Sequence, residues 1–165
     1  MARALASAGG VITGWWARLA PLPFGRTLFS IAVGRMAPYT GSIGARIEEL
    51  RPGYARWGLR DRRRVRNHLD SVHAVALVNF AEVCSGTAMM ASLPPGVRGI
   101  VTGLSIEYHK KARGRLTAET SVTVPPITED TRLRVPAVIT NADGETVATA
   151  HVEWLLSPPR SASER

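Results

Sequence analysis

The stretch that most restricts this chain is Asn67 to Met90, NHLDSVHAVALVNFAEVCSGTAMM. Polar residues open it: Asn67, His68, Asp70, Ser71 and His73. It then runs apolar for roughly five helical turns, with Asn79 and Glu82 as the interruptions. A helix that is apolar nearly all round is normally buried. The rest of the chain must therefore cover this helix and accommodate one carboxylate in its middle. Titratable groups with strong burial cluster at functional sites, so Glu82, on a helix that starts among Asn and His, marks a candidate active site. Asp70 or Ser71 is expected to cap the helix, and Leu93-Pro94-Pro95-Gly96 to end it.

The flanking segments read as strands. Ile43, Ala45 and Ile47 alternate with polar or small residues, as do Ala55, Trp57 and Leu59 beyond the Arg51-Pro52-Gly53 turn. After the helix, Thr102, Leu104, Ile106 and Tyr108 share one face of a third strand. Leu116 to Val124, Leu133 to Ile139 and Val147 to Leu156 supply three more, the last two joined by Asn141-Ala142-Asp143-Gly144. Two strands, one long helix and four strands with short connections predict an α+β fold with an antiparallel sheet. Upstream, Val11 to about Met36 has helical spacing, through Trp15, Trp16, Leu19, Leu28, Ile31 and Val33. Pro21 and Pro23 divide it into two short helices, expected on the outside of the sheet or on a partner subunit. Trp and Arg mixed at Trp15, Trp16 and Arg18 also leave contact with a membrane surface open. The expected organisation is a helical extension over residues 1–40, with the first eleven fraying, a sheet-and-helix domain over 41–157, and a disordered tail over 158–165.

At 165 residues the chain can build one real core. Its net charge of +8 is spread over loops and strands, with one dense run, Arg60 to Arg66. No helix-turn-helix or zinc-finger spacing accompanies that run, so nucleic acid is not the expected partner. Arginine forks match phosphate oxygens, and a phosphorylated small molecule suits a local basic patch better. Cys84 is the single cysteine and reads as a buried small hydrophobe. His109 and His151 fall on strands without ligand partners at useful spacing, so no metal site is expected. No apolar run reaches the ~18–20 residues of a bilayer span and no leader pattern opens the chain, which makes a cytoplasmic location the expectation.

Element order and polar spacing together resemble the hotdog superfamily, in which a curved antiparallel sheet wraps a central helix. The specific likeness is to acyl-CoA thioesterases of the phenylacetate-pathway (PaaI-like) type, in a poorly characterised branch. Their pattern is an Asn, a His six residues on followed by two Gly, and an Asp or Glu nine residues after that His. Asn67, His73 and Glu82 hold those positions, while Ala74-Val75 replaces the Gly pair. The likeness covers about Gly41 to Leu156.

The resemblance implies hydrolysis of an acyl-CoA or acyl-ACP thioester, with no cofactor beyond the coenzyme A carried by the substrate. It implies Asn67, His73, Glu82 and Thr102 as catalytic residues, Glu82 as base or nucleophile. Backbone amides of Ala74 and Val75 would polarise the carbonyl, since helix N-termini present free N–H groups. Arg62, Arg63, Arg64, Lys110, Lys111 and Arg113 are the candidates for coenzyme A phosphates, and Leu77, Phe80 and Met89 for the acyl pocket. Nine residues of helix give about 13 Å of rise and about 900° of rotation, so His73 and Glu82 point to opposite faces. The site must then be shared between subunits of a homodimer or a dimer of dimers. Other readings stand beside this one. Glu82 can be a structural partner of the Arg60–Arg66 run, Val75 can mark a protein that binds acyl-CoA without hydrolysing it, and the His68 to Glu82 spacing of fourteen resembles hotdog dehydratases.

Overall fold

The structure, a computed structural model, describes residues 8–159. The first seven residues and the tail beyond Pro159 lie outside the described residues. In chain order come α1 (Ala8–Leu19), α2 (Gly25–Met36), α3 (Pro38–Ser42), β1 (Arg46–Arg51), β2 (Tyr54–Leu59), α4 (Ala74–Ser92), β3 (Arg98–Tyr108), β4 (Leu116–Ser121), β5 (Thr131–Thr140) and β6 (Thr146–Ser157). The strands form one sheet in the order β1-β2-β4-β5-β6-β3, and every pairing is antiparallel. This is the hotdog arrangement, with α4 as the filling.

The sheet can close on α4 because the residues beneath the helix are small. Ala55, Ala118, Ala137, Ala148 and Ala150 have no measurable exposure. Leu77, Phe80, Ala81, Cys84 and Ala88 of α4 press into that floor. Two buried indoles fix the rotation of the helix. Trp57 of β2 donates to the Thr87 hydroxyl at 2.9 Å, and Trp154 of β6 donates to the Ser85 hydroxyl at 2.9 Å. A buried N–H left unpaired costs about 1–3 kcal/mol, so each bond holds α4 in register. By length and composition α4 could cross a bilayer, which the count of apolar residues passed over because Asn79 and Glu82 interrupt the run; about two thirds of its most apolar window is buried inside the chain.

Three local expectations change. The helix starts at Ala74, and its cap is His73, whose Nδ1 accepts the Val75 N–H at 3.1 Å. Asp70 instead takes a left-handed turn conformation (φ 51°), and Ser71 donates to the Ala112 carbonyl. The first strand begins at Arg46 rather than Ile43, after Gly44 turns the chain at φ 65°. In β3 a bulge between Val101 and Gly103 breaks the alternation, so Thr102 is exposed while Leu104 and Ile106 keep the inner face.

The helices α1 and α2 do not sit on the outside of the sheet. They pack on α4 and β1, with Phe29 in the core and Trp16 edge-on to it at 5.4 Å. Residues 8–11, expected to fray, are helical. The corner between the helices depends on Gly25, where an added Cβ would lie 1.7 Å from the Leu19 carbonyl oxygen. The Asn79 side-chain N–H donates to the Tyr39 carbonyl at 2.9 Å, and Ile47 N–H donates to the Ser30 hydroxyl at 3.0 Å. These bonds tie the N-terminal helices to α4 and β1.

Candidate active site

The helix α4 has three sides. One faces the sheet, one lies under α1 and α2, and a stripe between them stays half-exposed. Val78, Glu82, Gly86 and Met90 form this stripe at a spacing of four, with Val75 (49% exposed) at its N-terminal end. Glu82 is the one ionisable residue on it. No ion pair or hydrogen bond reaches its carboxylate among the described residues, and burial pushes its pKa up. The expected arginine partner is absent because the basic run is engaged elsewhere. Arg66 grips Asp61 through two bonds, of 2.6 and 3.1 Å, and Arg62 donates to the Gly44 carbonyl.

At the start of α4 a second group of residues meets. Asn67, Ala74, Leu77, Tyr108, Lys110 and Lys111 are among the walls of a cleft of about 350 Å³. The Asn67 Oδ1 accepts from the Leu69 and Ser71 N–H groups at 2.9 and 3.3 Å, which orients the side chain and leaves its Nδ2 donors without a partner among the described residues. Here Asn67 is turn-former and available donor together. The Val75 N–H, expected to polarise a carbonyl, is occupied by the His73 ring, whereas the Ala74 N–H has no partner among the described residues. Tyr108 was not anticipated. Its hydroxyl donates to the Ala74 carbonyl at 3.2 Å, and burial raises its pKa. The signal for it was present, because Tyr108 ends the inner face of β3 where that strand passes the helix start.

The other expected site residues separate. Thr102 lies at the bulge and donates to the Glu153 carbonyl at 3.3 Å. Phe80 and Met89 are fully buried against the sheet and do not line the cleft, whereas Leu77 is one of its walls. The six basic residues do not form one patch. Arg62 and Arg64 clasp Gly44, close enough that a Cβ there would strike both guanidinium groups. Arg63 is exposed in a single turn of 3-10 helix. Lys110 pairs with Glu145, and Arg113 donates to the Asp70 and Leu69 carbonyls at 3.0 and 3.2 Å. Arg60 and Arg115, with Arg66 and Arg113, face a neighbouring cleft of about 470 Å³ that the spacing did not reveal. His68 is exposed in the loop before the helix. Among the described residues no group of three His, Cys, Asp or Glu is placed to hold a metal.

Glu82 and the Asn67 cleft share no wall within the chain. Glu82 instead borders a different cavity, of about 580 Å³, beneath α1 and α2. Helix geometry set His73 opposite Glu82; in the fold His73 caps α4, and it is the Asn67 cleft that stands apart from Glu82. Donors gather at one end of α4, and the carboxylate stands on another side.

Residues 25–156 match a family described as a domain of unknown function, DUF4442. The match takes in α2, which the sequence reading had placed in a separate extension. No curated protein matches the chain. Among solved structures, the crystal structure of a genomics target is 35% identical, covers 91% of this chain and 97% of its own, and superposes with a TM-score of 0.77. A protein of unknown function from Pseudomonas aeruginosa, described as a probable thioesterase, is 22% identical over 82% of this chain and 96% of its own, with a TM-score of 0.71. A thioesterase family protein from Silicibacter pomeroyi is 18% identical over 78% of this chain and 96% of its own, with a TM-score of 0.67.

Proposed function

The chain belongs to the DUF4442 family and has the hotdog fold, and on that footing we propose that it hydrolyses an acyl thioester at a site shared by two copies of itself. One observation carries the reading. A carboxylate without a partner among the described residues, its pKa raised by burial, stands on a half-exposed stripe of α4, while the Asn67 and Ala74 donors border one cleft at the start of the same helix. A second copy, packed stripe to stripe and antiparallel, brings each Glu82 to the other's Asn67 cleft. The outer strand β3 favours such a partner. It is eleven residues long, its free edge is unpaired among the described residues, and Ile100 on it is 63% exposed.

In this reading the thioester carbonyl lies against the Ala74 N–H and the Asn67 Nδ2. The Glu82 carboxylate of the other copy takes a proton from water as the water oxygen bonds to the carbonyl carbon. The two donors hold the resulting oxyanion, and Tyr108 braces the helix end that presents them. Collapse breaks the C–S bond, and the thiolate recovers the proton from Glu82. The products are a carboxylic acid and the free thiol. Lys110, Lys111 and Arg113 stand at or beside the cleft rim, where the phosphates of coenzyme A or of a carrier-protein arm would lie. Burial raises the Glu82 pKa, which strengthens its proton affinity as a base.

The test is thiol release from acyl-CoAs running from acetyl to palmitoyl, with aromatic thioesters and Glu82→Gln alongside. Turnover by wild type, lowered about 100-fold or more in the variant, supports the reading. Turnover retained in Glu82→Gln removes the base. The occupied Val75 N–H and the loss of the Gly pair favour one other outcome, binding of acyl-CoA with no turnover at all.

A further inference from the structure

On the sheet side of α4, Phe80, Cys84, Ala88 and Met89 are fully buried, and open space lies under the N-terminal helices. Its volume of about 580 Å³ is that of a small-molecule site. Ile12 and Trp15 of α1, Phe29 and Val33 of α2, and Glu82 and Met90 of α4 are among its walls. Glu82 is the one ionisable side chain among the described residues that borders it. The Thr87 hydroxyl, also in the wall, is already engaged with Trp57 and the Val83 carbonyl. Beyond Glu82 and the Thr40 hydroxyl, a ligand with many polar groups would lose its water there and find few partners, which a hydrocarbon does not suffer.

We propose that this cavity is the acyl site, and that the acyl group it takes is a linear hydrocarbon chain of medium to long length, measured by the N-terminal helices. The chemical identity of the ligand rests on the thioesterase reading; the pocket itself does not. A methylene displaces about as much volume as a water molecule, roughly 30 Å³, so the cavity holds on the order of ten to sixteen carbons with some space unfilled. Glu82 sets the head of the chain at the α4 stripe. Gly86, one turn on, leaves the way past it open, since even a Cβ there would lie 3.6 Å from the Glu82 carboxylate. The roof is preformed. Trp16 against Phe29, Asn79 on the Tyr39 carbonyl, and the close approach of Gly9 to the Met90 and Ala91 carbonyls all fix it to α4 and the core.

Trp15 is half-exposed in the cavity wall and reports the chain directly. The experiment titrates the full-length protein with 9,10-dibromostearic acid below its micelle concentration and reads tryptophan emission, then displaces it with unbrominated fatty acids from four to eighteen carbons. Quenching should saturate, and most of it should vanish in Trp15→Phe. Affinity of the competitors should rise about threefold to fourfold per methylene until the cavity is full. Ala32→Trp, which fills the cavity from α2, should lower the ratio of long-chain to short-chain affinity at least tenfold. Met36→Glu, at an exposed rim position that tolerates charge, should move the same ratio in the same direction. No quenching, equal quenching in Trp15→Phe, or an unchanged chain-length order in both filling variants overturns the proposal. So does dissociation of a dimer by those variants without any change in quenching, which would make the space an interface between copies. Chain binding without thioester turnover upholds the pocket and ends the thioesterase reading. Turnover with no quenching and no chain-length dependence does the reverse.

Discussion

Replacing Glu82 with leucine should raise stability while abolishing turnover. The carboxylate is desolvated, has no partner among the described residues, and stands among Val78, Gly86 and Met90. A buried polar group without a partner costs about 1–3 kcal/mol. Glu82 keeps some contact with solvent, so the lower part of that range applies, and leucine adds apolar contact. The expected gain near neutral pH is about 1–2 kcal/mol, which for a domain of this size raises Tm by roughly 2–8 °C. The gain should depend on pH with a defined sign. Burial raises the folded-state pKa of Glu82 above its unfolded value, so the fold prefers the protonated form. The associated stability is complete below the unfolded value of about 4.3 and is lost as pH rises through the folded value. The wild-type deficit relative to Glu82→Leu should therefore be small near pH ~4 and reach its plateau above the raised pKa. Thermal melts of both proteins across that range, read as a difference so that common titrations cancel, make the check. A lower Tm for the leucine variant, or a difference flat in pH, would mean that the carboxylate is paired and structural. Stability gained where activity is lost is the pattern of a site held at a cost to the fold.

Other perturbations follow from single contacts. Thr87→Val leaves the buried Trp57 N–H without an acceptor and should cost about 1–3 kcal/mol in denaturant unfolding. Gly25→Ala drives a Cβ into the Leu19 carbonyl, so it should open the α1–α2 corner and lower Tm by several degrees, roughly 2–4 °C for each kcal/mol lost. Tyr108→Phe removes the bond to the Ala74 carbonyl and should lower kcat more than it raises KM, with a stability change of about 1 kcal/mol or less. Asp61→Asn loses the charge that Arg66 grips. Because that arginine holds the Asp61 pKa down, wild type should lead the variant above the ordinary aspartate value, about 3.9, and lose its lead as pH falls through the lowered one.

The long helix and the alternation of six strands made the fold legible, because each signal is local and periodic. Asn67 and Glu82 were legible for a different reason. A carboxylate in an apolar run needs an explanation, as does an Asn just before it, and helix rotation set Glu82 opposite His73. What the sequence hid was tertiary. The His73 cap competes with Asp70 and Ser71, and the choice among them turns on the loop's closure by Asn67 and on Ser71 reaching Ala112 across to the next segment. The bulge at Thr102 has a signature in Gly103, a glycine inside a strand pattern, which the alternation passed over, and it reverses the exposure expected of Thr102. Leu77, Phe80 and Met89 share the apolar character of a tunnel wall, and only the sheet beneath them shows that they are core. The place of α1 and α2 depends on close backbone approaches at Gly9, Gly25 and Gly34, which a sequence displays as ordinary glycines. The basic residues were named together for their charge, yet the loop from Arg60 to Arg66 turns its arginines toward different neighbours.

The central claim is that one copy supplies Glu82 and another supplies Asn67. The direct measurement is complementation between Glu82→Gln and Asn67→Ala, each assayed alone and then after unfolding and refolding together. Each variant alone should be nearly inactive. A shared site predicts that the mixture recovers roughly a quarter of wild-type turnover, since half of the dimers are mixed and each of those carries one intact site of two. No recovery from a mixture shown to contain mixed dimers, or full activity in a protein that sediments as a monomer, would contradict it.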